Sequence, residues 1–228
     1  MNTVRARTVA IELATVRLEG LLRVPRGARG LVLFAHGSGS GRLSPRNTYV
    51  AQYLSAFRLA TLLFDLLTVQ EARLDAVTGA MRFDIARLTD RLAAATAWVR
   101  AQPALPDLPL GYFGASTGAA AALAAAARLP YVRAVVSRGG RPDLAGPMLG
   151  AVRAATLLIV GGNDRQVLAL NRAALAQLRG VARLQVVPGA THLFAEPGAL
   201  EHVSALAGAW FEQHLCAPAF GRVQREAG

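Results

Sequence analysis

A serine stands at residue 116 in a setting that favours nucleophilic chemistry. The apolar segment Leu110–Gly114 predicts a buried strand, and the alanine-rich segment Thr117–Leu129 predicts a helix directly after it. The turn between them reads Gly114-Ala-Ser116-Thr-Gly118. A serine on so sharp a strand-to-helix turn has its hydroxyl lifted above the sheet edge, and glycines flank it because side chains would collide. We therefore predict a nucleophile elbow with Ser116 as the attacking residue.

An acid and a base follow the serine in chain order. Asp164 comes after the predicted strand Thr156–Val160, and His192 comes after the predicted strand Arg183–Val187. A carboxylate at the start of a helix can have a purely structural role as the N-cap. A histidine in a short loop has no comparable structural role. We predict that His192 is the general base and that Asp164 orients it. Asp143 remains an alternative acid.

The glycine-rich loop at residues 36–41 predicts backbone donors for a developing oxyanion. It reads His-Gly-Ser-Gly-Ser-Gly and follows the apolar strand Leu31–Ala35. We assign the oxyanion hole to the backbone N–H groups of Ser38 and Thr117, and expect His36 to brace the loop by hydrogen bonding. A flexible Gly/Ser turn is the alternative. We expect Asp65, after the next strand, to order the loop by pairing with Arg46 or Arg138.

Apolar runs alternate with helical-period segments along the chain, which predicts one α/β domain over residues 1–228. Residues 1–24 predict two leading antiparallel strands, and residues 216–228 a frayed tail. Residues 66–82 predict a long loop that partly covers the site, and residues 138–155 are too few for a cap domain. The remaining predicted strands are Ala60–Phe64 and Val132–Val136; the remaining predicted helices are Thr48–Phe57, Phe83–Ala101, Arg165–Leu178 and Leu200–His214.

Composition excludes several other classes of protein. The net charge is +11, but all 25 basic residues are arginines and they are scattered, which argues against nucleic-acid binding. The apolar run Ala119–Ala127 is too short to cross a bilayer, and residues 1–25 contain no secretory apolar core. A single cysteine, Cys216, indicates a reduced thiol in a cytoplasmic protein. No histidine and cysteine cluster has metal-ligand spacing.

Several of these segments resemble the dienelactone-hydrolase-like family of the α/β-hydrolase superfamily. They are residues 33–40 with Ser-Pro-Arg-Asn at 44–47, residues 63–67, residues 111–118, residues 137–144, residues 161–164 and residues 189–192. The resemblance implies a mostly parallel eight-stranded sheet with helices on both faces, hydrolysis of an ester-type substrate, and no cofactor. It also implies relatives that occur alone or joined to a phosphoribosyltransferase domain, for which this chain has no room. It leaves association with such a protein, and oligomerisation, open.

The expected substrate is a small or medium acyl ester, lactone or thioester. Dienelactone hydrolases use a cysteine nucleophile, so the serine at position 116 argues against a dienelactone substrate. Arg138 and Arg141 could bind a carboxylate or phosphate, or could pair internally with Asp65 or Asp143. An acyltransferase on the same triad and a non-catalytic ligand-binding or partner-binding domain are the alternative functions. The predicted substrate-binding residues are Leu66, Met81, Arg138, Met148 and Leu193, with Leu67, Phe83 and Phe194 as further lining candidates.

Overall fold

One eight-stranded sheet forms the centre of the molecule in the computed structural model, which describes residues 5–103, 105 and 108–216. The strand order is β1-β2-β4-β3-β5-β6-β7-β8. β1 and β2 are antiparallel to each other and β2 is antiparallel to β4, whereas all other pairs are parallel. The prediction of a mostly parallel sheet with two leading antiparallel strands is confirmed. The strands are β1 (Arg7–Glu12), β2 (Arg17–Arg23), β3 (Gly30–Ala35), β4 (Leu59–Phe64), β5 (Leu110–Ala115), β6 (Val132–Arg138), β7 (Ala155–Gly161) and β8 (Ala182–Val187).

Helices cover both faces of this sheet. Side chains alternate along the strands, so each face of the sheet builds its own apolar cluster. One cluster packs against α3, α4 and α5, and the other against α1 and α6. The helices are α1 (Pro45–Leu54), α2 (Val69–Thr78), α3 (Ile85–Arg100), α4 (Thr117–Arg128), α5 (Arg165–Leu175) and α6 (Ala199–Phe211). We call these the α3/α4 face and the α1/α6 face.

The prediction of a long loop over residues 66–82 is wrong, because α2 occupies most of it. Thr68 caps the helix, and the Glu71 carboxylate returns to accept from the Thr68 N–H, which forms a capping box. Gly79 ends the helix at a φ of 66°. The side chains of α2 are mostly exposed, so the apolar periodicity that reveals other helices is weak here.

The connection between β6 and β7 contains two 3₁₀ turns within Pro142–Ala151, separated by a kink at Gly146, and its described residues form no cap domain. Within the described ranges, none of the helices combines the length and the apolar character needed to cross a membrane. Cys216 is a free, buried thiol. Apart from this cysteine, the predicted frayed tail lies outside the described residues.

Candidate active site

Ser116 lies on a strained turn between β5 and α4. Its φ of 51° and ψ of −123° are uncommon for a residue with a side chain. A Cβ at Gly118 would come within 2.1 Å of the Ala35 carbonyl oxygen, and a Cβ at Gly114 within 2.4 Å of the Ala119 Cα. The two glycines therefore allow the start of α4 to approach the sheet closely enough to form the turn.

The small side chains of α4 continue this close approach along the helix. Residues 117–126 are all buried, and all but three of them are alanine. Because the alanine side chain is small, the backbone of α4 can lie close to the backbone of the sheet, and the helix packs directly on β5 and β6. The turn at Ser116 is thus fixed by main-chain contacts on both sides.

His192 and Asp164 are joined by a hydrogen bond. Asp164 precedes α5 at the end of β7, and His192 lies in the loop after β8. The His192 Nδ1 and Asp164 Oδ2 atoms are 2.6 Å apart. The aspartate side chain is 14% exposed and the histidine side chain 39% exposed. An imidazole held through Nδ1 by a carboxylate presents Nε2 as its free basic atom.

The end of β6 contacts both the serine and the histidine. The Ser116 N–H donates to the Arg138 carbonyl at 3.3 Å. The next residue, Gly139, has a φ of 50°, and a Cβ there would lie 3.5 Å from His192 Cε1 and Nδ1. Within the described part of the chain, the Ser116 hydroxyl makes no hydrogen bond to the His192 ring. Catalytic hydrogen bonds are often long until substrate binds.

The loop after β3 lies directly against the elbow. A Cβ at Gly37 would come within 2.9 Å of the Ser116 Cβ. The hydroxyls of Ser38 and Thr117 are 3.2 Å apart, so the two residues that carry the predicted oxyanion donors are in contact. Thr117 is the first residue of α4, so no intrahelical acceptor is available to its N–H. Among the described residues, none accepts a hydrogen bond from the Ser38 N–H.

His36 braces this loop, as predicted. Its Nε2 accepts from the Leu66 N–H at 2.9 Å, and its Nδ1 lies 3.0 Å from the Gly37 carbonyl oxygen. Burial lowers the pKa of His36 below its ordinary value. The ring is therefore neutral, with the proton on Nδ1 donated to Gly37 and the lone pair of Nε2 facing Leu66.

Asp65 also orders the loop, but through a different arginine than predicted. Its carboxylate accepts from the Arg42 N–H at 2.7 Å and pairs with the Arg42 guanidinium, which also pairs with Glu19. The prediction that Asp65 pairs with Arg46 or Arg138 is wrong. Arg42 directly follows the loop at residues 36–41, so both its backbone N–H and its guanidinium reach Asp65 just after the end of β4.

A pocket of about 500 Å³ opens beside this loop on the α3/α4 face. Leu66 and Leu67 line it, as predicted, whereas Met81, Met148 and Leu193 do not. Met148 packs against the core cluster of the α3/α4 face, and Leu193 is exposed. The lining residues are those of the loop 36–40, Asp65, Leu66, Leu67, Val69, Ala72, Arg73, Asp75, Ala76, Arg82, Leu88 and Thr117.

The remaining lining candidates also lie away from this pocket. Phe194 is buried in the core cluster of the α1/α6 face, and Phe83 is exposed.

The two candidate anion-binding arginines differ. Arg141 pairs with Asp143 at 2.7 Å, which is the internal ion pair considered above. Asp143, the alternative candidate for the catalytic acid, is therefore engaged by Arg141. Asp143 therefore orients Arg141, while His192 is oriented by Asp164. Arg138 is buried and belongs to no ion pair among the described residues.

One polar contact behind the pocket was not predicted from the sequence. The Glu71 carboxylate accepts hydrogen bonds from both terminal nitrogens of Arg91, each at 2.6 Å. Arg91 also donates to the Leu66 carbonyl at 3.0 Å. This arrangement fixes α2 to α3 and to the end of β4. The spacing Thr68-x-x-Glu71 signals the capping box, but a side-chain pairing 20 residues apart leaves no local trace.

Comparison with known proteins agrees with this architecture. Residues 68–214 match the dienelactone hydrolase family. Two curated Mycobacterium tuberculosis proteins, both named as phosphoribosyl transferases, are 57% identical over 215 residues, or 94% of this chain. The chain spans about half, 48%, of the length of these curated relatives.

Solved structures give the same result. A dienelactone hydrolase from Anabaena variabilis is 53% identical, with a TM-score of 0.92 and coverage of 94% of this chain and 100% of that chain. The esterase Est1E from Butyrivibrio proteoclasticus is 14% identical, with a TM-score of 0.75 and coverage of 90% and 98%, and shares the fold alone. The sheet order, the turn at Ser116 and these similarities lead to one conclusion: the chain belongs to the dienelactone hydrolase family and has the α/β-hydrolase fold.

Proposed function

We propose that this protein is a serine hydrolase that cleaves carboxylic ester-type bonds through an acyl-enzyme. The observation that supports this most directly is the position of Ser116 on a left-handed turn at the sheet edge where His192 is hydrogen-bonded to Asp164. Family membership and the similarity to a dienelactone hydrolase support hydrolysis of esters. The serine in place of a cysteine nucleophile favours an ordinary ester, lactone or thioester over a dienelactone.

The proposed reaction has two steps. The Ser116 hydroxyl attacks the carbonyl carbon while His192 Nε2 takes its proton, and the imidazolium then gives that proton to the departing alcohol. Water attacks the resulting acyl-enzyme while His192 accepts one of its protons, and the imidazolium then gives that proton to the departing Ser116 oxygen as the carboxylic acid is released. Asp164 stabilises the imidazolium in both steps. The backbone N–H groups of Ser38 and Thr117 would stabilise the oxyanion, and each such donor contributes about 3 kcal/mol.

The pocket supports a substrate of small or medium size. Its volume of about 500 Å³ lies in the range of small-molecule sites. Leu66, Leu67 and Leu88 supply apolar lining beside the oxyanion loop, which suits an acyl chain. We therefore propose acyl groups of a few carbons as the first substrates to assay.

The phosphoribosyl transferase name of the two curated relatives is not carried over to this chain. About half the length of those proteins matches this chain, and this chain has the hydrolase fold. We propose that any phosphoribosyl chemistry of those proteins belongs to their other half.

The test is Ser116→Ala against Ser55→Ala, a serine at the end of α1 far from the elbow. p-Nitrophenyl butyrate turnover and labelling by a fluorophosphonate probe should be lost in Ser116→Ala and retained in Ser55→Ala. Turnover or labelling at the wild-type level in Ser116→Ala would show that another residue is the nucleophile. Adding a competing alcohol and measuring transesterified product separates hydrolysis from acyl transfer.

A further inference from the structure

Arg138 is a buried cation that lacks a counter-ion among the described residues. Its side chain is 8% exposed, and its Nε and Nη1 atoms have no hydrogen-bond acceptor among the described residues. Arg91, which is equally buried, shows the usual arrangement, because a carboxylate and a backbone carbonyl receive its donors. An unpaired buried charge is strongly destabilising, so an arginine in this state indicates a place for a negative group that is not part of the chain.

A second arginine lies near the first. Arg46, in the first turn of α1, also has a buried Nε without an acceptor among the described residues. Burial, and then the positive charge of Arg46, lower the pKa of Arg138 to about 10. Two cations that repel each other gain stability when an anion lies between them.

The carboxylates that could have neutralised this pair are engaged elsewhere. Asp65 pairs with Arg42, Asp143 with Arg141 and Asp164 with His192. Glu196 accepts from the N–H and the hydroxyl of Thr191 through Oε1, its Oε2 is buried without a partner, and among the described residues no salt bridge connects it to either arginine. Within the described ranges, no side-chain carboxylate forms an ion pair with Arg46 or Arg138.

The backbone of Arg138 lies beside the candidate nucleophile. The Arg138 carbonyl accepts from the Ser116 N–H, so the two residues are neighbours across the end of β5 and β6. By the alternation along β6, the Arg138 side chain is on the α1/α6 face together with Val136 and α1. The apolar pocket is on the other face. A substrate could thus place its acyl chain on one side of Ser116 and a charged group on the other.

We propose that Arg46 and Arg138 form a subsite for an oxyanion, a carboxylate or phosphate carried by the ester substrate. This inference rests on the proposed function, and it narrows the substrate class to anionic esters. Guanidinium groups suit it because their planar forks bind two oxygens of such a group at once. The apolar pocket would then receive the uncharged end of the same molecule.

The kinetic test compares two esters of similar length, neutral p-nitrophenyl butyrate and the anionic mono-p-nitrophenyl succinate. In Arg138→Gln, the ratio of kcat/KM for the anionic ester to that for the neutral ester should fall about 10- to 100-fold. Arg138→Lys, which keeps the charge but loses the fork, should give an intermediate ratio. The matched control is Arg133→Gln, an exposed arginine on the same strand, whose ratio should equal that of the wild type.

The binding test uses inorganic phosphate and does not depend on catalysis. At constant ionic strength, phosphate should raise the Tm of the wild type and of Arg133→Gln, but not that of Arg138→Gln. Arg46→Gln, on a partly exposed helix position, provides the same reading where Arg138→Gln fails to fold. No phosphate effect on the wild type, together with an unchanged ester ratio, would overturn the subsite.

Other outcomes separate the two proposals. A phosphate effect that Arg138→Gln abolishes, with an unchanged ester ratio, would show an ion site that the substrate does not use, and would overturn the substrate assignment. If the wild type hydrolysed neither ester, the proposed function would fail, while the phosphate measurement would still report on the arginine pair.

Discussion

Replacing His36 with leucine should reduce the free energy of unfolding by about 2 to 4 kcal/mol at pH 7.5, although leucine is apolar and similar in size. The substitution leaves the Leu66 N–H and the Gly37 carbonyl without their partners at 2.9 and 3.0 Å. Each buried polar group that loses its partner costs about 1–3 kcal/mol, and the greater hydrophobicity of leucine offsets part of the sum.

The loss of stability caused by His36→Leu should become smaller as the pH falls. Because the pKa of His36 is lowered in the folded state, the unfolded chain binds the proton first as the pH falls. The wild type therefore loses stability below about pH 6.5, the ordinary histidine value, whereas the leucine variant has no proton to bind. The difference between the two proteins should shrink by up to about 1.4 kcal/mol at pH 5.5.

Urea unfolding followed by fluorescence of Trp98 and Trp210 at pH 7.5, 6.5 and 5.5 measures both quantities. The control is His202→Leu, an exposed histidine on α6, which should change stability little at any of these pH values. The assignment of a neutral ring with two hydrogen bonds would be refuted in either of two cases. The loss of stability in His36→Leu could be no larger than in the control, or it could grow as the pH falls.

Two further substitutions test the surroundings of the site. Glu71→Gln should destabilise the protein by about 2 kcal/mol at pH 7, because it removes the charge that pairs with the buried Arg91. Since Arg91 lowers the pKa of Glu71 to about 2, the wild type loses this advantage between pH 4.5 and 2, and acid titration of both proteins should show their stabilities converging there. Gly118→Ala should lower the Tm far more than Gly150→Ala and reduce esterase activity, because its Cβ would meet a carbonyl oxygen at 2.1 Å, whereas the nearest atom to a Cβ at Gly150 is 4.0 Å away. Equal thermal melts for the two alanine variants would contradict the tight turn.

The sheet was predictable because most of its strands have a recognisable local sequence pattern. Strands buried on both faces appear as nearly continuous apolar runs, and β3, β4, β5 and β7 are of this kind. The turn at Ser116 was predictable for a similar reason, since its two glycines are needed by local sterics. In both cases the information lies within a few residues of the feature.

Features that depend on distant partners were harder to predict. The helix α2 exposes most of its side chains and is fixed by Glu71 and Arg91, so its local pattern resembles that of a loop. The sequence did not reveal which arginine would pair with Asp65, because Arg42, Arg46 and Arg138 differ only in where the fold places them. The proposed anion subsite belongs to this second class.

The alanine helix behind Ser116 has a consequence for how this protein can change. Apart from Thr117 and Leu123, the buried residues of this helix carry a single methyl group or a hydrogen, so almost no larger group can be shortened, and enlargement pushes against closely packed neighbours. New substrate preferences are therefore expected to arise from substitutions on α2, whose outward-facing residues tolerate variation, while libraries aimed at α4 should return mostly inactive clones.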